Sequence, residues 1–179
     1  MEAFPTFPLF PDPRRENVFE ESGEACVACK RARGWVYTGP RYGKLDEPVV
    51  CPWCIADGSA AKLGISFNDS EQYPSFPNTP QLPLEERRLV ESLTPGFVTW
   101  QGNHWLACCN KACVYLGEAD SADLTGRWAA AVPSMFAGDQ FSAGDIAEII
   151  LQIARGQGPC AYVFQCRACG KLRGFWDCH

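Results

Sequence analysis

Eleven cysteines in a chain of 179 residues constrain the fold more than any other feature. Three pairs have C-x-x-C spacing: Cys26 with Cys29, Cys51 with Cys54, and Cys166 with Cys169. A fourth pair, Cys109 and Cys113, is spaced C-x-x-x-C and has Cys108 beside it. The N-terminus, MEAFPTFPLFPDPRRENVF, opens on an acidic residue and is studded with prolines. It has neither the charged start nor the apolar run of a secretory signal, so the expected compartment is the cytoplasm. Thiols stay reduced there, which points paired cysteines to metal or redox chemistry and away from a disulfide framework.

The run VVCPWCIADGSAA, Val49 to Ala61, separates those two chemistries. A glutaredoxin-like centre needs a βαβ frame around Cys51, for which the preceding residues leave no room, and it gives Cys26 and Cys29 no role. Zinc uses all four. The pairs are separated by 21 residues, close to the usual spacing of a four-cysteine site. The order of pair, hairpin, pair and short helix is that of a treble-clef finger, with the last two thiolates at a helix start whose dipole favours them. The hairpin is expected from Gly34–Thr38 and Glu47–Val50, and the helix from Ile55 to Leu63, stopped by Gly64.

Cys166-Arg167-Ala168-Cys169-Gly170 is a second knuckle, its glycine free to adopt positive φ. Cys109 and Cys113, roughly 50 residues away, are its expected partners, because loop length costs little entropy. The alternative is that Cys108, Cys109 and Cys113 are small buried hydrophobes. Two zinc ions per chain are therefore expected, with ligands Cys26, Cys29, Cys51, Cys54, Cys109, Cys113, Cys166 and Cys169. Cys160 and Cys178 have no partner at knuckle spacing. His104, between Trp100 and Trp105, reads as packing, and His179 as a frayed end.

The rest of the chain supplies the frame. Residues 1–23 read as an extended segment whose Phe4, Phe7, Leu9, Phe10 and Phe19 lie against the body. Residues 24–64 form the first zinc module, and 65–179 a helical segment plus the second. Residues 65–83 are a proline-rich connection. Helices are expected over Leu84–Leu93 and from a Ser142 cap to Arg155 ahead of Gly156, with Ile146, Ile149, Ile150 and Ile153 as the latter's apolar face. Strands flank the last knuckle at Ala161–Phe164 and Leu172–Trp176. The expected class is α+β, with treble-clef and zinc-ribbon-like modules joined by a helical central segment.

The net charge of −5 argues against broad attraction to nucleic acid or anionic lipid. A finger-type nucleic-acid reading rests only on Lys30, Arg31, Arg33 and Arg41. No run of about 20 apolar residues is present, so no membrane partner is expected. Neither a Ser-His-Asp or Cys-His arrangement nor a phosphate loop is present.

Phe7–Pro13 (FPLFPDP), Tyr37–Pro40, Cys51–Ala61 (CPWCIADGSAA), Thr94–Phe97, Trp100-Gln101 with Trp105-Leu106, and Tyr162–Gly170 (YVFQCRACG) together resemble the CbrC-like family of bacterial proteins. That family is associated with colicin tolerance and carries three C-x-x-C motifs. The resemblance implies a small cytosolic protein and offers no catalytic residues to carry over. Where relatives are expected to have a His-Cys pair, this chain has Cys108-Cys109, and Cys and His exchange readily as zinc ligands. Cys108 is thus an alternative ligand. The leading reading is a non-enzymatic zinc protein, an adaptor or stress-tolerance factor with an unidentified protein partner. A thiol-redox or zinc-sensing protein is the first alternative, and a nucleic-acid-binding finger the second.

Overall fold

Pro5, Pro8, Pro11 and Pro13 keep the first segment out of helix. In the structure, a computed structural model that describes residues 2–68 and 82–178, it runs without regular secondary structure up to Phe19. Its apolar residues explain why it is held: Phe7, Leu9 and Phe10 are buried, and Phe7 stacks on Phe19 at 6.0 Å between ring centres. The chain divides into two units. One comprises residues 2–68, 82–98 and 103–105, the other residues 99–102 and 106–178.

In the first unit, β1 (Phe19–Ala25) pairs antiparallel with β2 (Ala32–Tyr37) around the first knuckle. The sequence reading paired β2 with residues 47–50, and this is corrected. Glu47 has a φ of 37° and Pro48 has no N–H, so that stretch cannot run a ladder. It offers acceptors instead: Val27 N–H donates to Val49 O and Tyr37 N–H to Val50 O, both at 2.8 Å. Helix α1 (Pro52–Ala56) begins within the second C-x-x-C, earlier than expected, because Pro52 suits a first helical position. A 3-10 turn over Ala61–Leu63 follows, ended by Gly64 at φ 77°.

Helix α2 (Leu84–Leu93) has the expected bounds. It buries Val90, whereas Leu84 at its start is exposed. Tyr37 fixes the centre of this unit. Its buried hydroxyl donates to Pro40 O and accepts from Gly96 N–H, each at 2.8 Å. Most of the connection expected at 65–83 lies outside the described residues.

The second unit opens with the short hairpin β3 (Ala107–Cys108) and β4 (Lys111–Ala112). Strand β5 (Val114–Ala119) then leads into α3 (Ser121–Thr125), a 3-10 turn at Ala129–Ala131, α4 (Val132–Met135) and α5 (Ala143–Gln152). Strands β6 (Cys160–Gln165) and β7 (Leu172–Asp177) complete a three-stranded antiparallel sheet in the order β5-β6-β7. Helix α5 starts where Ser142 and Asp145 form a reciprocal capping box. It ends at Gln152, short of the expected Arg155, because Ile153 is already extended at ψ 122°.

Alternation along β6 sends Ala161 and Val163 to a core with Leu124, Trp128, Met135, Ile150 and Ile153. Tyr162 and Phe164 go to the other face, where Tyr162 meets Phe175 at 4.9 Å and Phe164 meets Tyr115 at 5.1 Å. Both faces of the sheet are covered, so β6 reads as a nearly continuous apolar run. The molecule is a mixed α+β protein of small sheets and short helices. No helix among the described residues is long and apolar enough to cross a membrane.

Candidate metal centres

Each unit gathers four cysteine sulfurs within 4.8 Å of one another, Cys26, Cys29, Cys51 and Cys54 in the first and Cys108, Cys109, Cys166 and Cys169 in the second. Both begin with the same local device. At Cys26 the chain turns back so that Cys26 N–H donates to Arg31 O at 3.1 Å and Lys30 N–H to Cys26 O at 2.8 Å. At Cys166 the corresponding bonds are to Lys171 O at 2.9 Å and from Gly170 N–H at 3.0 Å. The turn needs a left-handed residue after its second cysteine. Gly170 supplies it at φ 71°, and Lys30 adopts it at φ 58°.

The closing pairs come from different structures. In the first unit Cys51 is the N-cap of α1 and Cys54 lies in its first turn, with Cys54 N–H donating to Cys51 O at 3.1 Å. In the second, Cys109 and Asn110 form the two-residue turn between β3 and β4, at φ 54° and 58°. Positive φ at both positions is what a tight hairpin requires. That turn puts Cys108 and Cys109 side by side against the knuckle. Cys113 does not join the group: it lies past the turn, its N–H on Leu106 O at 2.9 Å. Its thiol is fully buried and is pushed up to about 12 by burial and by the charges of Cys166 and Cys108.

The sulfur spacings fit a metal. Cys29 Sγ is 3.9 Å from Cys51 Sγ, and Cys108 Sγ is 3.8 Å from Cys109 Sγ and 3.7 Å from Cys169 Sγ. Four thiolates bound tetrahedrally at about 2.3 Å would lie about 3.8 Å apart, whereas a disulfide needs about 2.05 Å.

Charge points the same way. Burial opposes ionisation of Cys26, but the backbone N–H groups of Cys29, Cys51 and Ala28 outweigh it and hold the thiol at about 7. At Cys166 burial is again outweighed, and N–H bonds from Cys169 and Ala168, both 3.4 Å, bring it down to about 6. Cys51, Cys54 and Cys109 resist ionisation. Burial pushes Cys51 to about 11 and Cys54 higher still, and hydrogen bonds with Cys108, Cys169 and Cys166 push Cys109 to about 12. Cys26 and Cys166 thus ionise more readily than Cys51, Cys54 and Cys109, whose burial and thiol contacts oppose a second charge until a cation offsets it.

A further pair of residues was legible in the sequence and was missed. The knuckles share the run C-x-A-C-x-x-x-R-G, ending in Arg33-Gly34 and Arg173-Gly174. Although burial works against its charge, Arg33 is held above its usual value by Glu2 and then by Cys51. Arg173 is raised first by its bond with the Cys108 thiol. Each places a fixed positive charge beside a four-sulfur group, where four thiolates around a divalent cation would leave a net negative charge.

The model of the uncharacterised protein family UPF0167 matches residues 4–178. The chain belongs to the UPF0167 family. It is 34% identical over 170 residues to UPF0167 protein PA1536 of Pseudomonas aeruginosa, covering 93% of each chain. To UPF0167 protein Mb2317 of Mycobacterium bovis it is 33% identical over 180 residues, covering 98% of this chain and 94% of that one. UPF0167 protein MT2352 of Mycobacterium tuberculosis gives the same figures. No solved structure matches the chain.

Among the other sequence candidates, Cys160 is buried, its thiol donating to Gln157 O at 2.7 Å and accepting from Trp100 Nε1 at 3.2 Å. His179 lies outside the described residues.

Proposed function

We propose that the protein binds two zinc ions in tetrathiolate centres and acts as a non-enzymatic adaptor toward a protein partner. The observation that supports zinc best is the sulfur spacing of 3.7–3.9 Å, which suits zinc–thiolate bonds of about 2.3 Å. Four cysteines fill a tetrahedral shell, so neither centre leaves a position for water or substrate, and the zinc organises structure. The first centre is a treble-clef type, its last two ligands opening α1. Against nucleic acid, Arg41 of the basic patch donates to Tyr37 O and Pro48 O, and Arg33 lies over Trp53. Lys30 and Arg31 alone make a weak electrostatic footprint. The CbrC-like resemblance supports placing the adaptor in colicin or stress tolerance.

Elemental analysis of protein purified without chelator tests the metal. Two zinc per chain is the expected result. Less than one, with Cys26–Cys29 or Cys51–Cys54 found as disulfides, sinks it, and stoichiometric iron would reassign the tetrathiolate shells to a different metal.

A further inference from the structure

The two centres differ in how solvent reaches them. Cys26, Cys51 and Cys54 are at most 1% exposed, and Cys29 is half-buried. An N-terminal strap packs beside this centre, on Trp53, Trp35 and Arg33. Trp53, inside the second C-x-x-C, donates its Nε1 to Ala3 O at 2.9 Å. The Arg33 guanidinium lies 4.3 Å over the Trp53 ring and pairs with Glu2. Phe4 packs edge-on to Trp35 at 5.8 Å and tilted to Trp53 at 6.1 Å. In the second centre Cys109 and Cys169 are exposed. So are their neighbours Asn110, Lys111 and the whole knuckle from Arg167 to Lys171.

We infer that the second centre is an exchange site, which passes its metal to soft thiol ligands entering at Cys109 and Cys169, while the first centre retains its metal beside the strap. This rests on the zinc reading above. Exchange at a saturated tetrathiolate shell requires an incoming ligand to approach while an outgoing one leaves. At the exposed edge Cys169 would give up its bond to the metal as an incoming thiolate forms a new one. The Cys169 sulfur would leave as thiolate and take a proton from solvent, and the same exchange at Cys109, Cys108 and Cys166 would hand the metal to the incoming thiols. Charge is conserved and no electron moves. The ligand class is a small thiol or an accessible protein cysteine. At the first centre three of the four cysteines are buried, and entry on the Trp53 side requires Glu2, Ala3 and Phe4 to lift away. Local opening of that kind slows exchange exponentially with its free-energy cost.

The test uses the intact, metal-loaded chain with glutathione as the thiol and a chromogenic chelator, pyridylazoresorcinol, to read release. One metal per chain should leave at least ~10-fold faster than the other, the ratio set by an opening cost of about 1.4 kcal/mol. Glutathione should accelerate the fast phase alone. Alkylation with N-ethylmaleimide followed by peptide mapping assigns the phases. Cys108, Cys109, Cys166 and Cys169 should label with the fast one, and Cys26, Cys29, Cys51 and Cys54 with the slow. Arg33→Gln, which unfastens Glu2, should speed the slow phase by roughly 10-fold, as loss of an outer-shell partner does. Two metals leaving in one phase, or fast labelling at Cys51 and Cys54, overturns the inference and leaves the zinc reading standing. One metal per chain at the outset overturns the inference alone, and less than one overturns the zinc reading with it.

Discussion

The two hairpins place the run C-x-A-C-x-x-x-R-G at the same point, with the same backbone bonds closing the turn, yet the centres built on them are unlike. One is closed by a helix start, the other by a two-residue β-turn, and the chain's N-terminal segment packs beside the first. The comparison separates two properties of a metal site. Half of the ligand shell is a local, portable turn that works wherever two strands flank it. The other half, and what packs beside it, decide how buried the shell is and how tightly the unit depends on its metal. In the first unit β1 and β2 form a two-stranded sheet, which is marginal alone. In the second, the three-stranded sheet packs against α3, α4 and α5 and has a core of its own.

The largest effect expected from this contrast is at Cys54. Structural zinc contributes on the order of 10 kcal/mol to folding of a small module, so Cys54→Ser should lose one zinc and most of the first unit's stability. Cys160→Ser changes a buried thiol outside both groups and should keep both metals, with stability within about 1–2 kcal/mol of the parent. Zinc stoichiometry beside thermal melting reads both. A Cys54→Ser protein with two zinc ions and an unchanged melting temperature would break the assignment of the first centre.

Next come the glycines that follow the two arginines. A Cβ on Gly174 would clash with Met135 Cε and come within 2.8 Å of Tyr162 O, so Gly174→Ala should cost about 1–3 kcal/mol through overpacking. Gly34 has open space but a φ of 87°, and Gly34→Ala should cost only about 1 kcal/mol of backbone strain. Urea titrations of the two variants sharpen the comparison. If Gly34→Ala proves the costlier, the packing of α4 on β7 is not what holds the second hairpin.

The smallest effect lies inside the knuckles. Lys30 and Gly170 occupy the same left-handed position. Lys30→Gly should be neutral or stabilising by up to about 1 kcal/mol, and Gly170→Lys destabilising by a similar amount. Equal and same-signed changes would mean that the two turns are not equivalent.

What the sequence determined by itself is what short-range geometry settles. A C-x-x-C turn closes on its own backbone within six residues, so both knuckles were legible, as was α5 from Ser142 and Asp145, whose side chains satisfy one helix end locally. Four thiols for the first centre followed from spacing alone, since the two pairs had no competing cysteine nearby. The tertiary structure decided the rest. Nothing in the spacing of Cys108, Cys109 and Cys113 chooses among them, because closing a long loop costs nearly the same entropy at one residue as at its neighbour. The choice falls to the turn at Cys109 and Asn110, which turns Cys108 toward the knuckle and carries Cys113 past it. The partner of β2 was equally undetermined, since pairing is non-local and several stretches had strand character. The strap of Glu2, Ala3 and Phe4 left only its apolar composition in the sequence. That it lies against Trp53 and Arg33 follows from packing between residues roughly 30 to 50 positions apart, and no local rule contains it.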